Sequence, residues 1–312
     1  MVSFSFTALA ALAAFAASVV SATVPSSARF DLSKPSYDLY RNKPLHDDTV
    51  QQGFAFDNVN RRLFVSQRKN GAGETSGDLC ITQLDFSGNE VGHMYLEGFG
   101  HGVSFGAQAD GSATYLWTEV DANDNGYGKQ LARFKFTSGK TLTKSSSELR
   151  KFKPVAAATE HTCAVDPVHN RLVVRYHLEG SGKHIAVYDL AAATKGDFSS
   201  PLADFKQPLP KTKGKNFQGY TAYGRYLYLL WGDSYDVSAE LNSEVASVDM
   251  NTGEVVQGPL ITKAGSTLSF REPEGLAIYK TAAGQVRLFL GFASGKAGDR
   301  RSNLFYKNVT VS

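Results

Sequence analysis

The chain has 312 residues, 42% of them hydrophobic and 20% charged, enough to bury one large core or two ordinary ones. Thirty-three Lys and Arg against 30 Asp and Glu give a net charge of +3, without the basic bias of a nucleic-acid binder. Glycine is abundant (29) and aromatics reach 12%, which excludes collagen, coiled coil and wholesale disorder and points to a β-rich fold.

In chain order, residues 1–22 (MVSFSFTALAALAAFAASVVSA) come first. An Ala-rich apolar stretch from Ala8 to Val20 ends in Val20-Ser21-Ala22, small residues where a signal peptidase needs them. The stretch is shorter than the ~20 residues a bilayer asks for. The reading is a cleaved signal peptide over 1–22 and a single domain over 23–312. The mature chain is expected to be secreted, extracellular and monomeric, without stable membrane insertion. Next comes ARFDLS, Ala28 to Ser33, a strand with no partner nearby in sequence.

Long amphipathic helices are missing, and five short segments superpose instead: Gln52-Gly53-Phe54-Ala55-Phe56, His101-Gly102-Val103-Ser104-Phe105, His161-Thr162-Cys163-Ala164-Val165, Gln218-Gly219-Tyr220-Thr221-Ala222 and Glu274-Gly275-Leu276-Ala277-Ile278. Their first positions lie 49, 60, 57 and 56 residues apart. Each is followed by a second strand, Arg62 to Ser66, Thr114 to Glu119, Arg171 to Tyr176, Arg225 to Leu230 and Arg287 to Gly291. Turn signals at Asp85–Gly88, Phe136–Gly139 and Asp249–Gly253 mark further hairpins. A repeat of about 50 residues built of four strands is the signature of a propeller blade. The fold expected is all-β, a five-bladed β-propeller of four-stranded blades. The fifth repeat has room for three strands, so Ala28–Ser33 is expected to supply its outer strand and close the last blade from the N-terminus.

The motif residues QGFAFD at Gln52, GHGVSFG at Gly100, EHTCAVD at Glu160, FQGYTAYG at Phe217 and REPEGLAIY at Arg271 cover nearly all of the mature chain. At these positions the sequence resembles the five-bladed propeller family of teichoic acid biosynthesis protein C-like and phage receptor-binding proteins. The resemblance implies a propeller and recognition of anionic, phosphate- or uronate-bearing poly- or oligosaccharides. It carries over no catalytic residue.

The five first positions, Gln52, His101, His161, Gln218 and Glu274, are all polar and would converge on the axis at one mouth of the ring. Buried polar groups must find partners, so such a ring is either a structural network or a binding site. Loops at the same mouth would add His46, Asp47, Asp48, Glu160, Arg271 and Glu272, and from the far ends of the second strands Glu119, Arg175, Tyr176 and His177. As a binding site, Gln52, Gln218, Glu272, Glu274 and Arg175 would hold the ligand. As a lyase, His101 or His161 would act as base, Arg271 or Arg175 would neutralise the substrate carboxylate, and Tyr176 would act as acid. A glycoside hydrolase at this mouth would pair Glu274 with Glu272 or Glu160. His101, His161 and Glu274 could hold a divalent metal ion on the axis, though no local ligand motif supports it. An inert channel serving a structural or protein-interaction propeller is the third reading.

Remaining signals are read as structural. Asp121-Ala122-Asn123-Asp124-Asn125-Gly126 resembles half of an EF-hand but has Ala132 where a bidentate Glu is required, so it reads as a turn. Gly102-Val103-Ser104-Phe105-Gly106 matches a nucleophile elbow yet falls in an expected strand. Cys80 and Cys163 fall in non-adjacent blades and read as buried free thiols. Asn308-Val309-Thr310 is a glycosylation sequon at Asn308, expected in an edge strand.

Overall fold

The computed structural model describes residues 23–312; the signal peptide expected over 1–22 lies outside the described residues. Five mainly antiparallel sheets follow one another along the chain, each running outward from its innermost strand. The inner strands are Gln51–Asp57, Gly106–Asp110, Glu160–Asp166, Phe217–Tyr223 and Glu272–Lys280. Among the described residues one short helix, Leu190–Lys195, interrupts the β pattern, capped by Asp189 at its start and by Gly196 in the left-handed region at its end. No described helix is long and apolar enough to cross a membrane.

Ring closure is visible in the cores. Each blade buries both faces, and the buried side chains separate into five clusters, one between each pair of neighbouring sheets. Phe64 and Leu79 of the first blade pack with Leu116 and Phe134 of the second. Trp117 and Leu131 of the second meet Cys163 and Val174 of the third. Val173 and Ile185 meet Leu229 and Trp231 of the fourth, Tyr228 and Leu230 meet Leu276 and Phe292 of the fifth, and Phe289 and Tyr279 return to Phe54 and Phe56 of the first. Hydrophobic burial therefore runs unbroken around the circle, and no blade has a face of its own to stand on.

The fifth blade takes its outer strand from Tyr37–Lys43, antiparallel to Asp299–Lys307. The expected segment Ala28–Ser33 does something else: its Arg29–Phe30 pairs with Thr310–Val311 in a separate two-stranded ribbon. Phe30 explains the choice. Its ring is fully buried against Tyr223 and Tyr228, and its backbone N–H donates to the Tyr228 hydroxyl at 2.9 Å. The first sheet also carries a fifth strand, Thr141–Thr143, which crosses from the second blade and runs parallel to Glu90–Glu97. Asn308 lies in the connection between the last two strands, half-buried, rather than within an edge strand. Both cysteines are free and buried, and burial pushes their thiols up, Cys80 to about 12.

Blade two departs from the repeat. Its inner strand begins at Gly106, so His101 to Phe105 is irregular rather than a strand. The fully buried Glu119 carboxylate explains this, accepting the Gly102 N–H at 2.8 Å and the Gly128 N–H at 2.6 Å. A buried carboxyl acceptor satisfies backbone donors that a ladder would otherwise use, and Gly102 takes the left-handed φ of 78° that lets the chain turn away. Ser104 is structural: its hydroxyl accepts the Tyr220 N–H at 3.1 Å and donates to the Tyr220 carbonyl at 3.4 Å, joining blades two and four across the axis.

Candidate functional site

At the centre the inner strands meet backbone to backbone. A Cβ on Gly219 would lie 2.8 Å from the Gly275 Cα, one on Gly275 2.9 Å from the Gly53 Cα, and one on Gly53 2.9 Å from the Gly102 carbonyl oxygen. Side chains cannot occupy such gaps, which is why the repeat carries glycine at this position. The inner strands are therefore in close contact at this level, and the neighbouring residues Gln52, Gln218 and Glu274 line a pit. The pit is a cavity of about 540 Å³.

Three blades turn their polar first position into this pit by the same device. The ladder slips by one residue between Gln51 and Gly53, between Phe217 and Gly219, and between Pro273 and Leu276. Each bulge leaves one residue without a partner opposite and re-aims it. Gln52, Gln218 and Glu274 all line the cavity. Blade three has Thr162 in place of the glycine and an unbroken ladder from Glu160 to Asp166. Its His161 is fully buried and takes part in a hydrogen bond at 2.9 Å between its Nδ1 and the Lys129 carbonyl. Burial lowers its pKa to about 4, so the ring is neutral, and it does not line the pit.

His101 reaches the pit from its irregular loop, stacked on the Tyr127 ring at 5.2 Å between centroids. Desolvation by the walls, with Arg68 nearby, lowers its pKa. Glu272 and Glu274 form an acidic pair on the fifth blade. Glu274 is buried and its carboxyl is raised well above the usual range, first by desolvation and then by Glu272. Glu272 is raised for the same first reason, partly offset by Arg300. The segment that delivers this pair is strained, with Phe270 and Arg271 at φ of 63° and 41°. Arg271 holds it in place. Its fully buried guanidinium donates to the Ala264 carbonyl at 3.1 and 2.8 Å, the Thr262 carbonyl at 2.9 Å and the Ser243 hydroxyl at 2.9 Å.

Other residues expected at the mouth stand apart from the pit. Arg271 is an internal anchor with its donors committed, Tyr176 donates to the Asp204 carboxylate at 2.7 Å, and Arg175 lies behind Phe217, its guanidinium 3.9 Å from that ring and bonded to Gln207. The base, neutraliser and acid of the lyase reading are thus not gathered around one point. Nor are the axial metal candidates His101, His161 and Glu274, since the His161 ring faces Lys129. Glu160 is held by Lys183, and His46 faces the outer strand of the first blade. Conversely, the pit includes Thr49, Arg68, Glu74, Asp78 and Tyr127, which the sequence reading did not name. Arg68 to Asp78 leaves the second strand of blade one, the type of loop that supplied candidates from the other blades. Tyr127 closes the Asn123–Gly126 turn, where its N–H donates to the Asn123 side chain at 3.0 Å.

Fold and pit together define a five-bladed propeller with one polar, aromatic-walled pocket at the end of its axis. The chain belongs to the family described as the phage 5-bladed beta propeller receptor binding platform domain, which matches residues 50–306. It is 26% identical over 287 residues to the putative major teichoic acid biosynthesis protein C of Bacillus subtilis (strain 168), covering 88% of this chain and 63% of that protein. It is also similar to the tail fiber of Staphylococcus aureus phage P68, with a TM-score of 0.70, 19% identity, and coverage of 89% of this chain and 54% of the fiber. An α-L-arabinofuranosidase of Lactobacillus brevis shares the fold at a TM-score of 0.50 and 7% identity, over 84% of this chain and 92% of that enzyme. The chain thus spans less than two thirds of the length of the teichoic acid protein and of the tail fiber.

Proposed function

We propose that the chain is a secreted glycopolymer-binding propeller whose ligand enters the pit lined by Gln52, Gln218 and Glu274. The observation that carries the reading is the pit itself, where amides (Gln52, Gln218), carboxylates (Glu272, Glu274) and flat rings (Phe217, Tyr127) line one cavity in a member of a receptor-binding family. Amides both donate to and accept from hydroxyls, carboxylates accept from them, and rings stack on the apolar faces of sugars. Four carboxylates, Glu74, Asp78, Glu272 and Glu274, face two basic side chains, Arg68 and His101. The pit therefore favours a hydroxyl-rich, weakly charged repeat, and the anionic ligand implied by the family resemblance gains no support from its lining.

Calorimetric titration with wall teichoic acid, with a neutral glucan and with a uronate polymer tests this. One of these polymers should bind saturably, and Phe217→Ala and Glu274→Gln should each weaken it about ten-fold or more, equivalent to ~1.4 kcal/mol. No saturable binding to any polymer, or binding indifferent to both substitutions, overturns the proposal. A second reading, a glycoside hydrolase, is favoured by the raised carboxyls of Glu272 and Glu274 in one pocket. Release of reducing ends from the bound polymer, lost in Glu274→Gln, would establish it.

A further inference from the structure

Outside the pit, one other group of side chains has the chemistry of a site. The loop Pro44–Val50 joins the outer strand of the fifth blade to the inner strand of the first and so closes the ring. His46 lies in that loop, and Glu90 and His93 lie on the outer strand of the first blade. The His46 and His93 Nδ1 atoms approach the same Glu90 Oε1 at 2.9 and 3.2 Å, and the two imidazoles stack with centroids 3.3 Å apart. Ligand atoms of all three lie within 4.8 Å of one another, the one such group of His, Cys, Asp or Glu among the described residues.

Two features of the backbone build this convergence. In a regular strand, residues three apart point to opposite faces. Here the ladder slips between Gln83 and Leu84, opposite Gly92 and Glu90, leaving Val91 as the extra residue and bringing Glu90 and His93 to one face. His46 is fixed by its neighbours, since the buried Asp47 accepts the Asn70 N–H at 2.7 Å and the Tyr95 hydroxyl at 3.2 Å. Gln67 clamps the same loop through the Asp47 and Thr49 carbonyls at 2.8 and 2.7 Å. The Tyr95 ring meets both imidazoles edge-on.

We propose that His46, Glu90 and His93 bind a divalent transition ion of the zinc class, tying the ring-closing loop to the outer edge of the first blade. Tetrahedral coordination with bonds of about 2.0–2.1 Å separates neighbouring donors by about 3.3 Å, close to both measured approaches. Two imidazoles and one carboxylate are the donors such an ion prefers, and the half-exposed setting leaves its fourth position to water. Binding requires both Nδ1 atoms to be free of protons, and it stabilises the folded ring by mass action.

The full-length chain, stripped with chelator, is titrated with zinc chloride in a calorimeter and with cobalt(II) chloride by visible absorption, and its melting temperature is recorded with and without zinc. The expected result is one ion per chain, tetrahedral cobalt bands and a melting temperature raised by zinc. His93→Ala and Glu90→Gln should weaken uptake about ten-fold or more and abolish the zinc-dependent shift, while His184→Gln in the third blade leaves both intact. Metal-free melting of each variant separates a lost ligand from a lost fold. Absence of saturable uptake by the wild-type chain, or uptake unchanged in His93→Ala and Glu90→Gln, overturns the proposal, the trio then being a hydrogen-bonded stack alone.

Discussion

Glu119 and His161 are both fully buried and titrate in opposite senses. Desolvation raises Glu119 to about 7 against the N–H bonds from Gly128 and Gly102, so its contribution to stability is present below an unfolded pKa of 4.5 and is lost as pH rises through 7. His161 is lowered to about 4, so its contribution is present above 6.5 and is lost as pH falls through 4. Between pH 4.5 and 6.5 the two slopes, roughly 1.4 kcal/mol per unit each, cancel. In Glu119→Gln only the His161 slope remains. Relative to wild type, that variant should gain roughly 3 kcal/mol on going from pH 4.5 to pH 7.5, read as urea unfolding free energies at the two pH values. A difference independent of pH would contradict the assignment. Arg271 acts through neighbours rather than ligand, so Arg271→Met should cost about 2 kcal/mol or more by leaving the Ala264 and Thr262 carbonyls and the Ser243 hydroxyl unpaired, measured by thermal unfolding. Equal melting temperatures would remove its role as anchor.

The inner strand is the element on which the architecture turns. Four of the five were legible as repeats, three of them because the close approach of Gly53, Gly219 and Gly275 imposes glycine at one position and so writes itself into the sequence, and blade three, with Thr162 there, through its alternation alone. Blade two was misplaced by five residues because a buried carboxylate from its own second strand captures the Gly102 N–H, a long-range event that local alternation does not carry. The bulges were equally invisible. Alternation singled out Gln52, Gln218 and Glu274, which line the pit, without the slip that aims them inward, and it put His161 with them although Thr162 and an unbroken ladder turn that ring aside. Arg175, Arg271 and Tyr176 were misjudged as facing the mouth because their partners, Gln207, Ser243 with Thr262 and Ala264, and Asp204, come from other elements. If the close approach of the inner-strand glycines is a packing requirement, Gly275→Ala should destabilise by about 2 kcal/mol or more, since it meets both a left-handed φ of 88° and the Gly53 Cα. Unchanged denaturant unfolding would show that the blades can part.

As a whole the molecule is a ring whose last sheet is completed by Tyr37–Lys43, a strand from its N-terminal side. Truncation of residues 23–43 removes Phe30 and Tyr40 from two inter-blade cores and exposes the edge of Asp299–Lys307. Such a chain should elute as aggregate in size-exclusion chromatography or lose its cooperative melt; a monomer with an unaltered melt would mean that closure lies elsewhere. Five wedges built this way leave a polar depression at one end of the ring, and the proposed recognition is placed there. The most direct test is a crystal structure of the chain with an oligosaccharide fragment of the polymer it binds. Sugar density between Phe217, Tyr127 and the Gln52, Gln218 and Glu274 side chains is the result predicted, whereas a fragment bound on the blade edges or the opposite face, with the pit holding only solvent, would contradict it.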